Sequence, residues 1–198
     1  MNDPAGANGL PIGKYDIPLA LAAKQYQSNG DLFSPANERF SLYGDVIHVN
    51  GQPWPYFEVE PRRYRLRFLD TSISRAFNMY FEDDENTNTK LPFQVVGSDA
   101  GLLSRPVTST SLEIAMAERW EIVFDFTDFA NKNITLRNNR RVQRDEDYAG
   151  TDRVMRFVVG DTVSDSTNNG AVPNPLANLD LPPTKTTVDR YFRFGRRG

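Results

Sequence analysis

Few side chains in this sequence could make or break bonds. His48 is the single histidine, and there is no cysteine. A redox metal centre built on soft donors uses thiolates and imidazoles, and a tight site takes three or four donors. His48 is therefore read as a structural or surface side chain rather than as a ligand or proton carrier. The same scarcity leaves Ser72 and Ser74 without an imidazole base to activate them as nucleophiles. No catalytic residue and no metal ligand is assigned.

Other polar groups cluster without forming a reactive set. Arg62, Arg63, Arg65 and Arg67 make a cationic row. It could receive an anion, but the plainer reading is a solvated or interdomain sheet face, paired across strands with Glu113, Glu121 or Asp125. Glu82, Asp83, Asp84 and Glu85 offer the oxygen ligands that Ca²⁺ prefers, but lack the spacing and turn glycine of an EF-hand. A solvated loop is expected there. Two carboxylates at a fixed separation would suit glycoside cleavage, and nothing in the sequence sets such a distance. Asp70-Thr71-Ser72-Ile73-Ser74-Arg75 reads as a turn between strands. Asn133-Ile134-Thr135 is an N-glycosylation triplet.

The elements that must position these groups are strands. Val46, His48 and Asn50 alternate with Ile47 and Val49. Tyr64, Leu66 and Phe68 alternate with Arg63, Arg65 and Arg67, so this strand has one face that is wholly cationic. The same period of two marks Phe77–Phe81, Ser111–Met116 and Trp120–Phe126. Asp16–Gln25, Phe93–Val96, Ile134–Arg137 and Val154–Val159 read as further short strands, with Ala117 and Glu118 in a turn. Gln27–Tyr43, Glu82–Lys90 and Asn138–Thr151 read as loops. Trp54, Tyr64, Phe68, Phe77, Phe81, Trp120, Phe124 and Phe157 are the expected core. Eight or nine short strands with no amphipathic helix predict an all-β antiparallel sandwich or barrel, with long loops and irregular termini.

Composition bounds the rest. The chain has 198 residues, 39% of them hydrophobic, with 13 Phe, 8 Tyr and 2 Trp, enough for one aromatic core. A net charge of -3 gives no argument for nucleic acid. No run reaches the length of a membrane span, and Met1–Gly9 carries no hydrophobic leader. Lack of cysteine excludes disulfides without fixing a compartment. The predicted division is an irregular segment at 1–13, one domain at 14–161, a Pro/Ser/Asn-rich linker at 162–189, and a strand-like stub at 190–198 around Tyr191-Phe192-Arg193-Phe194.

Longer stretches are more specific than any period. Gly44–Pro55 (GDVIHVNGQPWP) and Val59–Asp70 (VEPRRYRLRFLD) are followed in order by Leu91–Phe93, Ser98–Leu103 (SDAGLL), Met116–Phe126 (MAERWEIVFDF) and Asp152–Val159 (DRVMRFVV). Together they resemble the central domain of multicopper oxidases, on the fungal bilirubin oxidase branch, over Leu10–Gly195. The resemblance implies a cupredoxin-like Greek-key β-sandwich, the second of three. Copper in that family sits in the first and third domains, held by His-X-His pairs and by a Cys-His-Met site, and the second is normally copper-free. The stub then looks like the first strand of the third domain. Met1 ahead of mid-family sequence reads as a domain separated from its neighbours.

The resemblance implies the following. The chain alone is inactive and holds no cofactor. Its parent oxidises phenols or bilirubin while reducing O₂ to water, outside the cell. The partners are the flanking first and third domains, with self-association through the stub as a further expectation. Thr71, Ser72, Ser74 and Arg75 become candidates for the rim of a substrate pocket, and the arginine row for an interdomain face or for a tetrapyrrole carboxylate. Two other readings stand beside this one: one piece of a split oxidase, and a stand-alone binding module.

Overall fold

The computed structural model describes residues 8–34, 36, 42–139, 148–178 and 188–195. Thirteen strands lie among them: β1 (Asp16–Lys24), β2 (Val46–Val49), β3 (Gln52–Pro53), β4 (Tyr56–Val59), β5 (Arg63–Asp70), β6 (Phe77–Asp83), β7 (Asn86–Leu91), β8 (Phe93–Ser98), β9 (Gly101–Ser109), β10 (Leu112–Ile114), β11 (Arg119–Asp125), β12 (Asn133–Asn138) and β13 (Arg153–Val159). A seven-stranded sheet runs β3-β2-β1-β5-β11-β8-β9. It faces a six-stranded sheet in which β10-β6-β12-β13-β4 are consecutive and β7 pairs with β6. The all-β sandwich expected from the alternation is present, but its sheets are mixed: β1 runs parallel to β5 and β13 parallel to β4.

Alternation places the core. On β5, Tyr64, Leu66 and Phe68 turn inward, as do Ile122 and Phe124 on β11 and Phe77, Met79 and Phe81 on β6. The two sheets meet through rings. Phe81 lies 4.2 Å from Phe124 and 6.0 Å from Phe157 between centroids, and Phe126 lies 5.2 Å from Phe157. Burying each such ring contributes about 1.5–3 kcal/mol. Trp54, expected in the core, is 41% exposed. It sits at positive φ, where its indole N–H donates to Gly150 O at 3.1 Å.

Two expected loops are otherwise built. Glu82–Lys90 is a hairpin: β6 extends to Asp83 and returns as β7, with Glu82 opposite Lys90. Ser164–Leu176 has a linker's composition, yet it lies on the seven-stranded sheet. Leu176 is buried there with Leu10, Val96 and Val123, and its N–H donates to Ser104 O at 2.9 Å. Residues 188–195 form no strand, and Tyr191 and Phe194 are almost fully exposed. Much of Gln27–Tyr43, Asn138–Thr151 and the linker, and the ends 1–7 and 196–198, lie outside the described residues.

Candidate functional site

The turn after β5 closes one end of the sandwich. β5 ends at Asp70, whose N–H donates to Glu118 O at 3.2 Å, while Ala117 N–H donates to Asp70 O at 2.8 Å. Thr71 donates to Leu21 O from both its N–H and its hydroxyl, each at 2.7 Å. Ser72 Oγ accepts Ala23 N–H at 2.9 Å, and Ser72 N–H donates to Asp70 Oδ1 at 2.8 Å. Arg75 is buried and donates to the carbonyls of Tyr43 and Gly44, each at 2.9 Å. Gly44 permits this approach: at φ +73, a Cβ there would meet Ala23 C at 2.7 Å.

The polar groups of Thr71, Ser72 and Arg75 thus point into the fold and tie the turn to β1 and to the 43–44 segment. The side chains offered outward are Thr71, exposed although its hydroxyl turns back to Leu21, Ile73, which is 60% exposed, half-buried Ser74, and the neighbouring exposed Met116. The Asp70 carboxyl is buried, and its Oδ2 has no hydrogen-bond partner. Burial pushes this carboxyl upward, against the Ser72 hydrogen bonds and the Arg75 charge, and Glu118 adds to the rise.

The arginine row does not form a uniform solvated face. Arg65 is 2% exposed and donates from Nε to Glu121 Oε2 at 3.0 Å. Arg67 Nε meets Asp16 Oδ1 at 2.7 Å, and Arg63 Nη2 meets Asp125 Oδ2 at 2.6 Å. Two expected acidic partners, Glu121 and Asp125, are therefore in place. Glu113 is not: it lies on β10 of the other sheet and accepts from Asn78. Asp16 takes the third position because β1 lies beside β5 in parallel, a pairing that no local pattern announces.

Arg62 stands apart from that row. It is fully buried, with its guanidinium 3.4 Å over the Tyr15 ring centre. It donates to the carbonyls of Asp165 and Thr167, the latter at 2.7 Å. Arg63 N–H donates to Asn169 Oδ1 at 2.9 Å, and Arg63 Nη1 to Asn169 O at 2.8 Å. Beside them Glu60 accepts Lys14 Nζ at 2.8 Å, Tyr15 OH at 3.0 Å, and Ser164 N–H and Oγ–H at 2.9 and 2.6 Å. Burial alone would raise the Glu60 carboxyl, but these donors outweigh it and hold the group at about 2. Sequence reading missed this clamp on the 164–169 segment, half of whose captured atoms are backbone carbonyls.

His48 is buried between Tyr26 and the β2–β3 turn. Its Nδ1 lies 3.1 Å from Gly51 O, which can only accept, so Nδ1 carries the proton. Its Nε2 then accepts Tyr26 OH at 3.0 Å. Both ring nitrogens are engaged.

The four acidic residues are not a solvated loop. Glu82 meets Arg137 at 3.0 Å, Asp83 meets Lys132 at 2.9 Å, Asp84 meets Arg156 at 3.1 Å, and Glu85 meets Lys132 at 3.3 Å. Three cations serve the four carboxylates, Lys132 being shared by Asp83 and the largely exposed Glu85. Among the described residues no three His, Cys, Asp or Glu side chains are grouped to hold a metal ion. The copper that the fold family implies does not fit this chain, because there is no thiolate and the lone imidazole is committed at both nitrogens.

A cupredoxin-like sandwich narrows the class, and the known proteins it resembles fix it. No family profile matches the chain. Bilirubin oxidase of Albifimbria verrucaria is 49% identical over 205 residues, covering 100% of this chain and 36% of that enzyme. A laccase of Bacillus subtilis is 35% identical, over 76% of this chain and 30% of the laccase. The crystal structure of the McoA multicopper oxidase from Aquifex aeolicus superposes with a TM-score of 0.75 at 29% identity, covering 88% of this chain and 37% of that one. The chain therefore belongs to the multicopper oxidase family. Within that family it corresponds to the middle domain, on the bilirubin oxidase branch, and spans about a third of the length of the relatives it matches.

Proposed function

We propose that this chain is the copper-free architectural domain of a secreted bilirubin-oxidase-like enzyme, without oxidase activity on its own. The observation that carries the reading is the donor inventory: no cysteine, and one histidine whose Nδ1 and Nε2 are both spent on Gly51 and Tyr26. The thiolate and imidazole ligands that would hold copper, whose redox chemistry would carry electrons from phenols or bilirubin to O₂, then belong to the flanking first and third domains. Its own contribution is to hold those domains apart and to lend a wall to the substrate cleft. The turn at Thr71–Arg75 suits that role, with Ile73 and Ser74 as the surface it offers. The exposed Tyr191, Phe192 and Phe194 are covered by a neighbouring domain in the longer enzyme. Titrating the purified chain with copper and offering a phenolic dye tests the proposal. Neither turnover nor an intense blue band is expected. Stoichiometric copper that survives dialysis and supports oxidation would overturn it.

A further inference from the structure

We propose that Asn133 is an N-glycosylation site that can be modified only before the chain folds, so that the end of the six-stranded sheet carrying it faces solvent in any longer assembly. The inference rests on the proposed secretory route.

The triplet Asn133-Ile134-Thr135 opens β12. Asn133 is exposed, and its side-chain amide has no hydrogen-bond partner among the described residues. The two residues that follow are the opposite. Ile134 is fully buried. Thr135 is 4% exposed, and its hydroxyl donates to Asp84 Oδ1 at 2.6 Å. Asp84 N–H in turn donates to Asn133 O at 3.0 Å. A glycosyl transferase must draw the triplet out of the strand into its own cleft, with the threonine hydroxyl free. In the folded domain that hydroxyl is occupied and Ile134 is locked into the core.

The substrate is an oligosaccharide carried on a polyprenyl diphosphate. Asn133 Nδ2 bonds to the anomeric carbon as the bond from that carbon to the diphosphate oxygen breaks. The electron pair leaves with the lipid diphosphate, one amide proton passes to a base of the transferase, and no oxidation occurs. Once attached, the glycan has room. Around Asn133 the surface is polar, with Lys132 shared by Asp83 and Glu85 and exposed Glu58 in the strand beyond Val158.

The test fuses a secretion leader and a separate control triplet to the chain and expresses it in yeast. Molecules modified at the control triplet have entered the lumen, and only these are scored by glycopeptide mass spectrometry. Most should carry a glycan at Asn133, lost entirely in Asn133→Gln and retained at reduced occupancy in Thr135→Ser. Lumenal molecules with Asn133 bare would overturn the proposal, whereas lack of secretion from the natural gene would count only against the secretory route. In a second arm, detergent-opened microsomes, which give both forms access to the transferase, should modify the unfolded chain but leave folded protein from bacterial cytosol unmodified. Glycosylation of that folded protein would overturn the requirement for an unfolded acceptor.

Discussion

Glu60 and Asp70 are two carboxyl groups pushed in opposite directions, and they predict opposite pH responses. Glu60 is held at about 2, against a reference value of 4.5, by Lys14, Ser164 and Tyr15. The folded state thus binds fewer protons than the unfolded one between these values. Its stabilisation is complete above about 4.5 and is lost as pH falls through about 2. The Glu60 side chain is about one-fifth exposed, so solvent screening reduces the effect, and Glu60→Gln is expected to cost about 1–2 kcal/mol at neutral pH. Asp70 is raised by burial, and its Oδ2 is unpartnered. Its folded form holds a proton that the unfolded chain, near 3.8, has released. That contribution is present below about 3.8 and fades as pH rises through the raised folded value. Asp70→Asn keeps an oxygen for Ser72 N–H and removes this loss. Urea midpoints measured from neutral pH down to about 2 separate the two: Glu60→Gln should flatten the acid side of the profile, and Asp70→Asn the decline above it. Parallel profiles for both variants and the parent would refute the assignment.

At the scale of elements, the clamp on Ser164–Asn169 has the clearest consequence. Arg62 is fully buried, and its partners are the carbonyls of Arg63, Asp165 and Thr167 and the Tyr15 ring. Replacing it with methionine fills similar volume but takes its donors from the Asp165 and Thr167 carbonyls, a loss of about 2–4 kcal/mol. Arg63, half-exposed and paired with Asp125, should cost about 1 kcal/mol when changed to methionine. Limited proteolysis should then cut Arg62→Met within 164–176 faster than Arg63→Met, which loses the side-chain bond to Asn169 O but keeps its main-chain bond to Asn169 Oδ1. Equal costs and equal resistance would show that the segment is held elsewhere. The same comparison explains what the sequence could announce. β2, β5, β6 and β11 were legible because one face is core and the other is not, which writes a period of two into the residues. β7 was not: its burial pattern is exposed for five of six residues, so only its pairing with β6 makes it a strand. Arg65 reads as solvated by type and is buried because Glu121 neutralises it across the sheet. The clamp left no trace because backbone carbonyls belong to every residue.

For the whole molecule, the sequence reached the family through ordered motifs rather than through chemistry. It could not tell that Thr71, Ser72 and Arg75 are spent on anchoring their own turn, since hydrogen bonds to Leu21, Ala23, Tyr43 and Gly44 join segments far apart in the chain. The core of the domain is the Phe81–Phe124–Phe126–Phe157 stack, and on the proposed architectural reading its stability comes from such apolar burial. A ligand that binds only the folded state stabilises it by about 2.7 kcal/mol at one hundred times its dissociation constant. A structural copper would therefore reveal itself as a chelator-sensitive melting temperature. The expected outcome is the same cooperative transition with EDTA, with added copper, and with neither. A rise on adding copper that chelation reverses would mean that this chain assembles a metal site from donors its fold has otherwise committed, and the architectural reading would have to be given up.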